Sequence, residues 1–141
     1  MFKTLLLAVD INDPDGATRC TEAAIAMAQH EAAMLHILNV VPDDGMSIVS
    51  AALSTDHASE VQAATEKALQ DWATVHIPAS IKSEVHVVRG TVYDQIIKTA
   101  AELDIDGIFV GAHSPALKDY LIGPNAARVA RHAMQSVFVI R

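Results

Sequence analysis

With 141 residues, 51% of them hydrophobic and only 4% aromatic, the chain is sized for one globular domain whose core is built from Ala, Val, Ile and Leu. Its formal charge of −7 and single cysteine exclude a general nucleic-acid binder, which needs a basic surface, and an internal disulfide framework. No apolar run approaches the ~20 residues that cross a bilayer, and the run 5–9, ended by Asp10, is too short for a signal-peptide core; the expected location is the cytoplasm, without membrane insertion.

Residues 3–9 predict a strand buried on both faces, because the Leu/Val run is continuous rather than alternating. The segment 10–16 (DINDPDG) predicts a turn, and 17–30 a helix with Cys20, Ala24, Met27 and Ala28 on one face. A second strand is expected over 34–41, ended by Pro42 and an Asp-Asp-Gly turn. Residues 45–55 have no clean period and are expected to form a loop or lid. Residues 56–73 predict a helix that turns Val61, Ala64, Ala68, Leu69 and Trp72 inward. A third strand follows over 83–88; Thr91 is placed to cap a helix carrying Val92, Ile96, Ala100 and Leu103. A short strand, 108–110, ends at Gly111; a last helix starts near Pro124, and a last strand covers 137–140.

The order βαβαβαβαβ predicts an α/β fold over the single domain 1–141: a doubly wound, five-stranded parallel sheet with helices on both faces. Ligands of such folds sit outside the carboxyl ends of the strands, which selects the loops after Val9, Val41 and Val110. Charge favours an anion in the second half, since residues 1–80 carry 3 basic and 11 acidic side chains and residues 81–141 carry 7 and 6.

The stretch with chemical content runs from Gly111 through His113 and Ser114 to Gly123-Pro124-Asn125. Gly111 lets a ligand approach the backbone closely because it has no Cβ. Gly123 precedes a helix whose free N–H groups and dipole favour an anion. Pro124 suits the first helical turn, and Ser114 and Asn125 add side-chain donors. These residues suit a phosphate chain, although a strand-final glycine and a Gly-Pro-Asn helix start also occur as punctuation without any ligand.

The strand 108–111, the loop after it and the ending GPNAARVARHAMQSVFVIR resemble the C-terminal signature of the universal stress protein A superfamily. The opening FKTLLLAVD and the Val-Val-Arg-Gly at 87–90 are similar to it as well, so the resemblance spans essentially the whole chain. It implies an adenine-nucleotide alpha hydrolase-like fold and ATP, or AMP, as the ligand, with Mg²⁺ bridging the phosphates. ATP-binding members carry Gly-x2-Gly-x9-Gly-Ser/Thr. Here Ser114 replaces the second glycine, the spacer 115–122 is eight residues long, and Pro124 replaces the Ser/Thr. The short spacer and the Gly-x-Asn ending are closer to the family's F/G-type branch. Carried over, the family's site puts Ala8, Val9 and Asp10 at the adenine and ribose end and Val40 or Val41 at the adenine edge. Gly111 would lie under the ribose and α-phosphate, and His113, Ser114, Gly123, Pro124 and Asn125 would face the phosphates. The resemblance also implies a homodimer paired through 137–140, with higher oligomers open.

Other motifs fail. The acidic turn 10–16 is not a calcium loop, because Pro14 holds a ligand position and Thr21 stands where the bidentate glutamate belongs. The dinucleotide and Walker glycine motifs are absent after the first strand. The seven histidines are scattered, without metalloprotease spacing or a Cys/His cluster; His36 and His86 are expected to be packed or surface residues, and His113 alone lies at the phosphate loop. Cys20 is expected to be a buried structural thiol. The expected function is a nucleotide-dependent stress or regulatory module rather than an enzyme, since no catalytic base stands beside the phosphates. A weak ATPase and a nucleotide-independent regulator of another protein, such as a transporter, are the alternatives.

Overall fold

In the computed structural model, which describes residues 1–42, 55–112 and 123–141, Leu5, Leu6 and Leu7 have no exposed surface at all. Such complete burial requires a central strand covered on both faces. The described elements are β1 (Thr4–Ala8), a 3-10 turn (Asp15–Ala17), α1 (Thr18–Glu31), β2 (Met34–Pro42), α2 (Thr55–His76), β3 (Ser83–Gly90), α3 (Val92–Glu102), β4 (Gly107–Gly111), α4 (Pro124–His132) and β5 (Ser136–Ile140). All strand pairs are parallel, in the order β3-β2-β1-β4-β5. The chain steps outward from β1 to β3, and α3 then returns it to the other side of β1 as β4.

The side-chain alternation of each strand divides the core. Leu5, Leu7, Leu35, Ile37 and Phe109 pack with Cys20, Ala24 and Ala28 of α1 and with Leu69 and Trp72 of α2. Leu6, Leu38, Ile108 and Val110 pack on the opposite face with Ile96 and Ala100 of α3 and with Ala126 and Val129 of α4. Helices therefore cover both faces, as the sequence predicts. Polar groups align the central strands: the Asp106 carboxylate accepts the N–H groups of Lys3 and Thr4, tying the start of β1 beside β4. Gly107 lets the flanking rings close in, because a Cβ there would lie 3.0 Å from Leu5 Cδ2 and 3.1 Å from Phe2 Cδ1. The edge strand β5 is held by Phe138, stacked on Phe109 with centroids 4.5 Å apart and met edge-on by Phe2 at 5.4 Å.

Two local expectations are corrected. Ala64 and Ala68 are exposed; the inward stripe of α2 is Val61, Thr65, Leu69 and Trp72, because two small alanines bury too little area to compete with Leu69 and Trp72 for the sheet. Thr91 occupies the N-cap position of α3, yet its hydroxyl makes no cap bond; its carbonyl accepts the Gln95 N–H at 3.0 Å instead. His36 is buried and His86 half-buried, as expected of packed strand residues, and the two also meet. Residue 36 pairs with 84, and 38 with 86, so His36, Glu84 and His86 share a face, with His36 Nδ1 2.8 Å from His86 Nε2. Burial holds the His36 ring below its ordinary pKa; His86 acts in the same direction and Glu84 against it. Among the described residues, no helix is long and apolar enough to cross a membrane.

Candidate functional site

The strand order reverses between β1 and β4, so the loops leaving their carboxyl ends part and open a crevice. A cleft of about 630 Å³ lies there, within the size range of small-molecule sites. One wall is the segment after β1. Val9 extends the β1–β2 ladder through its N–H to the Leu38 carbonyl at 2.9 Å, and the chain then turns sharply, the Asp13 N–H reaching the Asp10 carbonyl at 3.0 Å. The Asp10 carboxylate accepts the Asn12 N–H at 2.9 Å, and the Asp13 carboxylate accepts the Gly16 N–H at 3.3 Å. These Asx-type bonds shape the acidic segment into two successive turns, the role that remains once a calcium loop is excluded.

Asn39 sets the position of that wall. It is 3% exposed, and its Oδ1 accepts the Ile11 N–H at 2.9 Å, clasping the β1–α1 turn to β2. A buried amide donor left without a partner costs about 1–3 kcal/mol, so this bond holds the turn in place as well as satisfying it.

The facing wall is the end of β4 and the start of α4. Among the described residues, a Cβ built on Gly111 would meet only the Gly16 carbonyl oxygen, at 4.0 Å. The packing of the described residues therefore does not require glycine at 111; glycine leaves cleft volume open beside the backbone. At the helix start, the Gly123 N–H is already donated to the Ala112 carbonyl at 2.9 Å, and the Ala127 N–H closes the first helical turn on the Gly123 carbonyl at 3.0 Å. Pro124 at the first helical position has no N–H. The N–H groups of Asn125 and Ala126 are thus the first-turn donors that the helical pattern leaves without an intrahelical acceptor. The N-cap residue, Gly123, has no side chain to cap the helix. Arg128 braces the start of α4 against α3, its guanidinium carbon 5.0 Å from the centre of the Tyr93 ring.

Of the residues singled out from sequence, Ala8, Val9, Asp10, Val40, Gly111, Gly123, Pro124 and Asn125 line this one cleft. Between Val40 and Val41, strand alternation decides: Val40 lines the cleft, while Val41 packs against the α1 side of the core. His113 and Ser114 lie outside the described residues, as does the segment 45–54 read as a lid. The Gly123 N–H itself ties α4 to the end of β4, so the free donors expected at this helix start are those of Asn125 and Ala126.

Sequence reasoning missed Asp13, Gly16, Cys20, Val92 and Ile96 as cleft residues. The rule that picks the loop after β1 could have extended to Asp13 and Gly16. Cys20, Val92 and Ile96 were absorbed by helical periodicity, which marks an inward face without telling core from cleft floor. Burial pushes the Cys20 thiol up to about 12, so it is protonated at neutral pH and inert as a nucleophile.

The profile of the universal stress protein family matches residues 1–141. The chain belongs to the universal stress protein family. Universal stress protein G of Escherichia coli O157:H7 is 29% identical over 143 residues, covering all of both chains. Among solved structures, universal stress protein UspA from Lactobacillus plantarum is 25% identical, with a TM-score of 0.73 over 99% of this chain and 98% of that one. Two more distant relatives share the fold and were solved with nucleotides. A universal stress protein in complex with cAMP is 19% identical, with a TM-score of 0.68 over 99% of this chain and 97% of its own. The Archaeoglobus fulgidus protein in complex with dAMP is 19% identical, with a TM-score of 0.62 over 99% of this chain and 98% of its own.

Proposed function

We propose that this universal stress protein binds an adenine nucleotide, ATP or AMP, in the cleft between β1 and β4, and acts as a nucleotide-dependent regulatory module of the cytoplasm rather than as a catalyst. The observation that carries the reading is the facing pair of features at one crevice: the open backbone at Gly111 and the first-turn donors of Asn125 and Ala126. A phosphate chain suits that pair, because oriented N–H groups and the helix dipole favour an anion without a lysine or arginine. Ala8, Val9 and Val40 offer an apolar surface for the base, and Asp10 a polar contact for the sugar. The cAMP and dAMP complexes of the two distant relatives support an adenine nucleotide as the ligand class.

The ionisable side chains lining the cleft, among the described residues, are Asp10, Asp13 and Cys20. Each carboxylate already spends one oxygen on a turn N–H, and the thiol is held protonated. That inventory supports binding over turnover. With two carboxylates and no cation on the described lining, a triphosphate gains from arriving with Mg²⁺, which needs few protein ligands. Calorimetric titration of nucleotide-stripped protein with Mg²⁺ and ATP is expected to give micromolar binding at one site per chain, weakened when Mg²⁺ is withheld. Absence of heat and of thermal stabilisation at millimolar ATP overturns the reading and leaves a nucleotide-independent interaction protein.

The same proposal includes a homodimer. β5 is an edge strand, and Val137, Phe138, Val139 and Ile140 are each only partly covered. An apolar edge of this kind invites pairing with another chain. Sedimentation equilibrium at micromolar concentration is expected to return a dimer, which Val139→Lys converts to monomer; a wild-type monomer counts against the interface.

A further inference from the structure

Towards the amino ends of β2 and β3, the sheet register brings together three side chains that lie 48 and 50 positions apart in sequence. His36 is the cross-strand partner of Glu84, and His86 follows two residues on, on the same face. One ligand atom from each of the three lies within 4.8 Å of the others. The two imidazoles are tilted by 34° with centroids 5.0 Å apart, and their facing nitrogens are 2.8 Å apart. His36 is 6% exposed, His86 is half-buried and Glu84 is exposed. The cluster is therefore anchored in the core at one end and open to solvent at the other, beside the edge of the sheet.

We propose that His36, Glu84 and His86 form a binding site for a divalent transition-metal ion, with Zn²⁺ the ion that best suits the donors. Two neutral imidazoles and a carboxylate make a borderline-soft set that suits Zn²⁺ and leaves a fourth tetrahedral position for water. Mg²⁺ and Ca²⁺ take oxygen ligands and are poorly served here. The geometry needs a local adjustment, in which the facing nitrogens move apart and each ring turns its lone pair toward a shared point. Two nitrogens at the usual ~2.0–2.1 Å from a tetrahedral Zn²⁺ are about 3.3 Å apart, so the rings separate by roughly 0.5 Å to admit the ion. Without metal, one imidazole donates a hydrogen bond to the other. Both ligand-bearing strands are held by eight consecutive paired residues, so the donor spacing is set before any ion arrives. His36, Glu84 and His86 are not among the described residues that line the nucleotide cleft, but the two sites are neighbours: Leu38, on the cleft, is two residues further along β2 than His36, or about 7 Å of strand.

The test uses the full chain, free of any purification tag and stripped with a chelator. Zn²⁺ is titrated by calorimetry, and Co²⁺ by its visible absorption, which is intense only in tetrahedral coordination. One ion per chain is expected, with a tetrahedral Co²⁺ spectrum. Glu84→Gln and His86→Gln, at positions open enough to leave folding intact, are expected to weaken binding by at least about tenfold, the least that losing even an outer-shell partner costs. His30→Gln, on the exposed face of α1, serves as the control and leaves affinity unchanged. At one fixed Zn²⁺ concentration the melting temperature of the wild type rises further than that of His86→Gln. Sub-stoichiometric Zn²⁺ in the wild type, or equal affinity in Glu84→Gln and His86→Gln, overturns the proposal and leaves a structural histidine pair.

Discussion

Gly111→Leu is expected to raise the dissociation constant for ATP by at least about 100-fold, close to 2.8 kcal/mol, while the protein stays folded. The separation of effects follows from the geometry. Among the described residues, a Cβ at 111 meets only the Gly16 carbonyl oxygen, at 4.0 Å, so the new side chain starts without a clash there and extends into the cleft, where the proposal puts the ribose and α-phosphate. Replacing glycine in a strand also lowers the entropy of the unfolded chain, which favours the folded state by some tenths of a kcal/mol. Calorimetry with ATP and urea denaturation on the same preparation check both halves. An unchanged dissociation constant in a folded variant would place the ligand away from the end of β4; lost binding together with lost folding would mean that glycine there serves the backbone instead.

Phe109→Ala is expected to cost about 3–5 kcal/mol, the range for truncating a buried aromatic. The loss is large beside the total stability of ~5–15 kcal/mol usual for a domain. Phe109 is 2% exposed on β4 and belongs to the core formed with α1 and α2. It also carries Phe138 of the edge strand on its face, at 4.5 Å. Truncation opens a cavity in the core and removes the platform for β5 at once. Urea denaturation followed by far-UV circular dichroism measures the change; a cost under about 1.5 kcal/mol would show that the core collapses around the smaller side chain.

Much of the fold is legible in local pattern. The unbroken Leu-Leu-Leu of β1 announces a strand buried on both sides, and Leu5, Leu6 and Leu7 prove fully buried. The spacing of Cys20, Ala24 and Ala28 announces the inward face of α1, and all three are buried. Gly111 and the Gly123-Pro124-Asn125 helix start are visible as punctuation, and the order of strands and helices is enough to bring them to one end of the sheet. Where side chains carry little apolar area the same pattern misleads, as Ala64 and Ala68 show on α2.

By itself, then, the sequence determined which segments are strands and helices and that their alternation makes a doubly wound parallel sheet, and it selected the loops after β1, β2 and β4, of which the described segments after β1 and β4 line the cleft. It did so because apolar periodicity, glycine and proline act on neighbouring residues. Tertiary structure alone decided that Asn39 clasps Ile11, that Val40 rather than Val41 faces the cleft, that Cys20 forms part of its floor, and that His36 meets Glu84 and His86. Each of these depends on which strands are neighbours and in what register. Register is set by the summed packing of both sheet faces, and a shift of one residue would turn the strand side chains Asn39, Val40 and His36 to the other face.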